Sequence, residues 1–539
     1  MEILGENIVS KKKWNIFIGI ILVIGFITFL NKDKISNYLE TRNLSQDEIQ
    51  TVDVASDLNE GKYVTSISEN DKDYTIEYTG DVFAIENENR SLQRKIYNFG
   101  FLQPLRSAYK LTDNEEYVET GMKYIRDFKE QAPFNPEHMT WHDETTAGRL
   151  NNYYYFYKEC YEALSEEDKQ LLISEMQFIA EKIAYTDFYS GNNNHGMYQD
   201  DAMLKYAIEF NDSEMIEIGS TRLEKYFLSN FDSDGVHLEN SPEYHFHMVE
   251  SLKNILNRYS KDVLPSYENL ENIYKKSADY ANMVVLPNGI IPNIGDSKNM
   301  EINLEKYYSP EIIENSQESG RATFYESGYD IVKEDDTYLL FRAGYLKDYH
   351  HHNDDLSFWL YKDGNIFTEV GSYGYEKSIP YTDYAKTYEA HNSLIVDGGN
   401  EADTKDIKLL NSNDANVMSG VTNRIVGTTF NRDIHFNDEL IEFTITDSIS
   451  SEDNQSHNYE LLFHLDPSIS INLIENKNEN SVELFRDDDK IGEFITENPI
   501  TIKEDVYFPY YYSEPQETKV IAVEASGKQA IVESKIILY

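Results

Sequence analysis

Histidine is scarce in this chain, 13 in 539 residues, yet three stand in a row at His350-His351-His352, followed by Asn353-Asp354-Asp355. His391-Asn392-Ser393 answers them about forty residues later. An alternating, aromatic-rich run over 356–361 adjoins the triplet and predicts a β-strand. Residues i and i+2 of a strand share a face, which would put His350, His352 and Asp354 together. Two imidazoles and a carboxylate on one face can bind a metal or move protons. The plain alternative is a polar, solvated strand end.

Three other segments carry polar chemistry. Asn194-His195-Gly196 lies between two helical patterns, and on its own is equally a turn with a helix cap. Glu239-Asn240-Ser241-Pro242-Glu243-Tyr244-His245 opens a helix. Taken alone, Tyr244 reads as core or surface, because so many other tyrosines compete. Thr368-Glu369-Val370-Gly371 precedes the His391-Asn392-Ser393 segment.

The elements that must position these residues fall into two halves. From about Ser91 to Lys306 apolar residues recur at helical spacing, as in Leu92, Ile96, Phe99, Leu102 and Leu105. Further helices are predicted over 151–164, 168–183, 200–209, 213–227, 244–259 and 270–286. Successive antiparallel pairs of this kind suggest an α/α toroid. Beyond about Gly320 strand-like runs alternate with turn signals, including Asp363-Gly364, and predict antiparallel sheets. The expected organisation is a tip and anchor over 1–31, a polar stalk over 32–85, a helical domain over 86–315 and an antiparallel β-domain over 316–539.

Trp14 to Leu30 is an uncharged run behind Lys11-Lys12-Lys13, with no small-residue cleavage site after it. It predicts an uncleaved single-pass anchor with the large C-terminal part outside the cell. The formal charge of −48 argues against nucleic acid as a partner, and an acidic substrate would need a local positive lining. The lone Cys160 rules out an intrachain disulfide, so any metal must be held by His, Asp, Glu or Asn. The 42 tyrosines suit a sugar-binding cleft but are mostly ordinary half-buried residues.

Taken in order, the four motifs resemble the heparinase II/III-like polysaccharide lyases and related alginate lyases, over roughly residues 90 to 539. Pro287-Asn288-Gly289 and Pro292-Asn293-Ile294-Gly295-Asp296-Ser297 resemble the segment that ends that family's toroid. The resemblance implies an incomplete α/α toroid joined to an antiparallel β-sandwich, and cleavage of a uronate glycan by β-elimination. Asn194 and His195 match the family's carboxylate-neutralising positions, Tyr244 its catalytic tyrosine and His350 its sheet-domain histidine. Arg149 and Glu239 match regions facing substrate, and Tyr381 and Tyr384 are candidate sugar-contacting tyrosines. His352, Glu369 and His391 match a metal site of some members, implying structural zinc, with Glu369 where a shorter aspartate is common. No organic cofactor is implied. For the metal residues the alternative is a buried, hydrogen-bonded histidine pair, and for Arg149 an ion pair with Asp143 or Glu144. Two other functions compete: a glycoside hydrolase using Asp200, Asp201 or Glu239, and a non-catalytic glycan-binding protein of envelope or exopolysaccharide assembly.

Overall fold

A computed structural model describes residues 44–539, apart from 68–71, 78–82, 84–89, 133–137, 346, 404–405 and 476–478. The apolar run at 14–30 lies outside the described residues. Among the described residues no helix is long and apolar enough to cross a membrane. The chain divides into two compact units, Met1–Met215 and Ile216–Tyr539.

The first unit is mainly helical. Polarity reads its early part as stalk, but the structure places a folded helix there, Gln46–Asn59. A capping box starts it: the Ser45 hydroxyl accepts from Glu48 N–H, and the Glu48 carboxylate takes the Ser45 N–H at 2.7 Å. Val52, Ala55 and Leu58, three residues apart, are fully buried. Tyr124 from the helix Glu116–Gln131 donates to the Leu58 carbonyl at 2.7 Å. So narrow an apolar stripe is drowned by the charges around it, which is why the segment reads as a stalk. The helices Asp143–Glu159, Glu166–Tyr185 and Asn194–Phe210 pack together around Leu150, Phe156, Met176, Ile183 and Met203.

The second unit joins two long helices, Pro242–Arg258 and Tyr267–Val284, to antiparallel sheets. Those helices belong with the sheets for a packing reason. Tyr280 rests on Phe324 and Tyr329, and Lys333 Nζ donates to the carbonyls of Asn282 and Val285. Among the described residues, a five-stranded sheet runs in chain order from Gly320–Phe324 to Asn365–Phe367. Its last hairpin turns at Asp363-Gly364, both at positive φ, as the sequence predicts. A four-stranded sheet orders Leu394–Val396, His457–His464, Gln516–Gly527 and Ile500–Tyr507. An eight-stranded sheet holds Glu442–Ser451 against Gln529–Leu538 at its centre. One apolar cluster draws on all three sheets, with Phe341, Phe358, Phe430, Leu461, Phe463, Phe494 and Ile521 nearly inaccessible.

His350 to Asp354 do not lie on a strand. The strand begins only at Phe358, and His350 and Leu356 have φ of 55° and 56°, incompatible with extended backbone. The shared-face argument therefore fails in its mechanism. An irregular loop, not a pleat, sets where these histidines point.

Candidate functional site

The chemistry-bearing residues form two groups, one in each unit. In the first unit, Asn194 and His195 occupy the opening turn of the helix Asn194–Phe210. Asn193 caps it, its side-chain carbonyl accepting from Gly196 N–H at 3.0 Å. A Cβ on Gly196 would stand 1.9 Å from the Gly191 carbonyl oxygen, so only glycine lets the preceding loop close on the helix. His195 Nδ1 lies 3.1 Å from Asp143 Oδ2. The Asp143 carboxylate also accepts from Ser190 Oγ and from Glu144 N–H, and His142 Nδ1 stands 3.0 Å from its Oδ1. Burial pushes the Asp143 carboxyl up, but these hydrogen bonds outweigh it and hold the group well below the usual carboxylate range. The bond to Asp143 in turn raises His195 against the opposing effect of burial.

Arg149, expected to face substrate, is buried in this structure. It is 1 % exposed, and its Nη1 donates to the carbonyls of Tyr97 and Thr140, both at 3.0 Å. Its guanidinium sits over the rings of Phe128 and Trp141. The ion-pair alternative fails as well, because Glu144 pairs with Arg94 and Asp143 with the two histidines. The planar cation serves as a clamp between three backbone segments.

In the second unit the Glu239–Tyr244 segment does open a helix. Ser241 is its N-cap, Pro242 its first residue and Glu243 an acid in its first turn. Ser241 Oγ is 3.0 Å from the Asp296 carbonyl and 2.7 Å from Ser297 Oγ, fastening this helix start to the 296–298 turn. Asn240 Nδ2 donates to the carbonyls of Lys347 and Tyr349, and its Oδ1 accepts from Arg342 Nη2. Asn240 thereby anchors the loop that carries His350. Gly295 completes the attachment. Its φ is +55°, and a Cβ there would lie 2.5 Å from Asn240 O and 2.7 Å from His350 O.

This close approach sets Asp296 beneath two histidines. Its Oδ2 is 3.2 Å from His350 Nδ1, and its Oδ1 is 3.1 Å from His352 Nε2. Burial opposes the charge on Asp296, but the two histidine bonds hold its carboxyl far below the ordinary range. On its other edge, His350 Nε2 lies 3.5 Å from Glu239 Oε2. Glu239, 3 % exposed, therefore supports His350 rather than offering a surface to substrate. The Tyr244 ring stacks on His350 with centroids 3.5 Å apart and planes 16° from parallel. Tyr244 Oη is 3.2 Å from Tyr375 Oη, which is 3.4 Å from His350 Nδ1. Burial pushes the Tyr244 phenol up to about 12, so it carries its proton at neutral pH. Tyr511 joins this cluster through the Tyr375 ring and donates to the Asp296 carbonyl at 2.9 Å. Lys298 stands over the Tyr511 ring and pairs with Glu243 at 3.2 Å, and Lys386 stands over the Tyr375 ring, 3.9 Å from Asp296.

His352, Glu369 and His391 do come together, all at most 3 % exposed. His391 Nδ1 is 3.1 Å from Glu369 Oε2, and the two imidazole centroids are 5.4 Å apart. His352 Nδ1 and both oxygens of the neighbouring Asp354 are buried without a hydrogen bond, with Arg342 Nε 3.6 Å from Asp354 Oδ2. Among the described residues, this triad is not one whose ligand atoms all lie within 4.8 Å of one another. A second cluster, His351, Asp354 and Asp355, has ligand atoms within 4.8 Å of one another. The Arg424 guanidinium already occupies it, bonded to Asp355 and 3.3 Å from His351 Nε2.

Tyr381 and Tyr384 are not part of the Tyr244 cluster. They line a separate groove with Glu504, Asp505 and Lys519, and Tyr384 Oη donates to Asp505 Oδ2 at 2.6 Å. The tyrosines that adjoin Tyr244 are Tyr375 and Tyr511. Sequence reasoning passed over these two tyrosines, and over Asp143 and Asp296. Asp296 left a trace in the Pro292–Ser297 segment, and Asp143 entered only as a candidate ion-pair partner of Arg149.

Comparison with known proteins matches residues 27–314 to the family described as "Heparinase II/III N-terminus" and residues 316–534 to "Heparinase II/III-like, C-terminal". The crystal structure of heparinase III superposes with a TM-score of 0.73 at 15% identity, covering 92% of this chain and 85% of that one. A mutant of the heparan sulfate lyase HepC from Pedobacter heparinus gives 0.71 at 13%, covering 92% and 83%. The chondroitin AC lyase of Streptomyces coelicolor, in complex with chondroitin sulphate, gives 0.53 at 9%, covering 91% and 78%. At these identities the likeness is one of fold. No curated protein sequence matches the chain.

Proposed function

The chain belongs to the heparinase II/III-like family of polysaccharide lyases, and on that premise we propose that it cleaves a uronate-containing glycan by β-elimination. In this reading the helical half is an incomplete toroid and the strands a sandwich. The reaction removes the proton α to the uronate carboxylate, expels the 4-linked oxygen and leaves a C4–C5 double bond. That proton is so weakly acidic that the carboxylate's growing charge must be neutralised. Asn194 and His195 take that role. Tyr244 and His350 move the protons: one removes the ring proton, and the other returns a proton to the leaving oxygen. The stereochemistry of the uronate sets the division between them.

The Tyr244–Tyr375–His350 cluster carries this reading. A protonated phenol, stacked on an imidazole and linked to it through a second hydroxyl, suits proton donation to an alkoxide. The hydrolase reading needs a carboxyl acid that reaches the sugar. Asp200 is fully buried, Asp201 is paired with Lys205 at 2.6 Å, and Glu239 is packed beside His350.

Zinc held by His352, Glu369 and His391 would fasten the loop behind His350 as a structural ion. Metal analysis of the purified protein, with His391→Ala beside it, tests that; a metal content unchanged by the substitution refutes it. The apolar run at 14–30 supports a single-pass anchor with the lyase outside the cell, acting on an envelope or self-made polymer. Recovery of the protein in the soluble fraction would count against the anchor.

The test of function is ultraviolet absorbance during incubation with a panel of uronate polysaccharides, including the host's own polymer. Rising absorbance, lost in Tyr244→Phe and in His350→Ala, is the expected result. New reducing ends without absorbance would establish hydrolysis. Binding without turnover would leave a glycan-binding protein.

A further inference from the structure

His195 raises a question that its position alone does not answer. It is the second residue of its helix, where the helix dipole disfavours a cation, and that helix has no acid in its first turn. Yet a group that neutralises a carboxylate must present a donor. The geometry around the ring decides which nitrogen that is. The Asp143 carboxylate, ionised and acceptor-only, lies 3.1 Å from Nδ1, so Nδ1 carries a proton. In a neutral imidazole Nε2 would then be a bare lone pair, which repels an anion. Only the doubly protonated ring donates from Nε2.

We propose that Asp143 is a positioning residue that fixes His195 as a cationic donor through Nε2, the form able to take a substrate carboxylate. The proposal rests on the lyase reading. Asp143 does this from a different helix, as the first residue of Asp143–Glu159. Ser190 Oγ and Glu144 N–H also donate to it, and His142 Nδ1 stands 3.0 Å from its Oδ1, which keeps the carboxylate ionised and in place. The other charged and titratable groups around the ring are Glu144, Arg94 and His142, whose ring centroid is 5.9 Å away. Glu144 and Arg94 are paired to each other at 3.0 Å and largely cancel. Burial lowers His142, which makes it a neutral neighbour rather than a competing cation. Asp143 is thus the unbalanced charge at His195, and His195 is not the base of the reaction.

The test has two arms on the full-length protein. In the first, diethyl pyrocarbonate acylates neutral imidazole, and mass spectrometry of the His195 peptide across pH gives the midpoint of its protonation. The midpoint in the parent should lie above that of an ordinary histidine. Asp143→Asn should lower it by at least about one pH unit, and Asp143→Glu, which keeps the charge, should recover most of that shift. The second arm is the pH profile of kcat/KM on whichever uronate polymer is cleaved. Its alkaline limb should follow the same midpoint, so that Asp143→Asn loses at least about tenfold on the alkaline side. An unchanged labelling midpoint in Asp143→Asn overturns the proposal whatever the activity. A labelling midpoint that moves while the alkaline limb stays fixed keeps the Asp143–His195 link and overturns the assignment of His195 to the substrate.

Discussion

Replacing Arg149 by alanine separates a clamp from a substrate residue. The structure gives Arg149 two hydrogen bonds from a charged donor, at 3.0 Å each, to buried carbonyls of Tyr97 and Thr140. Such bonds contribute about 1.5–3 kcal/mol apiece. The stacked rings of Phe128 and Trp141 add about 2 kcal/mol between them. Against this, the variant no longer buries a cation, which recovers several kcal/mol. The net loss comes to about 3 kcal/mol. For a unit of this size that lowers the melting temperature by about 6–12 °C. Differential scanning fluorimetry, with activity normalised to folded protein, makes the measurement. The expected result is a lower melting temperature with KM within about twofold of the parent. An unchanged melting temperature with KM raised tenfold or more would refute the clamp and return Arg149 to the substrate.

Three further outcomes follow from the same geometry. Gly295→Ala forces a Cβ against two carbonyl oxygens at φ +55° and should cost at least about 2 kcal/mol in chemical denaturation, lowering kcat more than KM. Tyr375→Phe keeps the ring but deletes the hydroxyl between Tyr244 and His350, and should lower kcat by up to about tenfold with the melting temperature nearly unchanged. In Asp143→Asn the stability deficit should depend on pH in a defined sense. The depressed carboxyl of Asp143 stabilises the fold above about pH 4 and loses that effect as pH falls towards its folded value; the raised His195 stabilises it below about pH 6.5 and loses that effect as pH rises through its folded value. The gap in melting temperature should be widest between about pH 4 and 6.5 and narrow on both sides.

The division into helices and antiparallel sheets was legible because long apolar periodicities and turn pairs such as Asp363-Gly364 are local signals. The segments that hold His195, Tyr244 and His350 stood out because their motifs are contiguous. Their partners were not. Asp143 is one of 96 acidic residues and Tyr375 one of 42 tyrosines, and nothing local distinguishes either. The strand argument for His350, His352 and Asp354 failed because positive φ at His350 is imposed by distant contacts with Asn240 and Asp296. The burial of Arg149 was hidden for a related reason. A cation is presumed exposed, and only the fold reveals two carbonyls waiting for it. The helix Gln46–Asn59 showed its capping box in Ser45 and Glu48, but its three buried residues gave too faint a stripe to find.

Asp296 spends one oxygen on His350 and the other on His352. A single side chain is thus shared between the Tyr244–His350 cluster and the candidate metal triad. The two cannot drift apart independently over evolutionary time. A descendant that abandons the triad would have to keep Asp296, or find another anchor for His350, before the change could be tolerated. In a lineage of such enzymes, losses at His352, Glu369 and His391 should come with compensating changes around Asp296, and inactive members should tend to lose both clusters together.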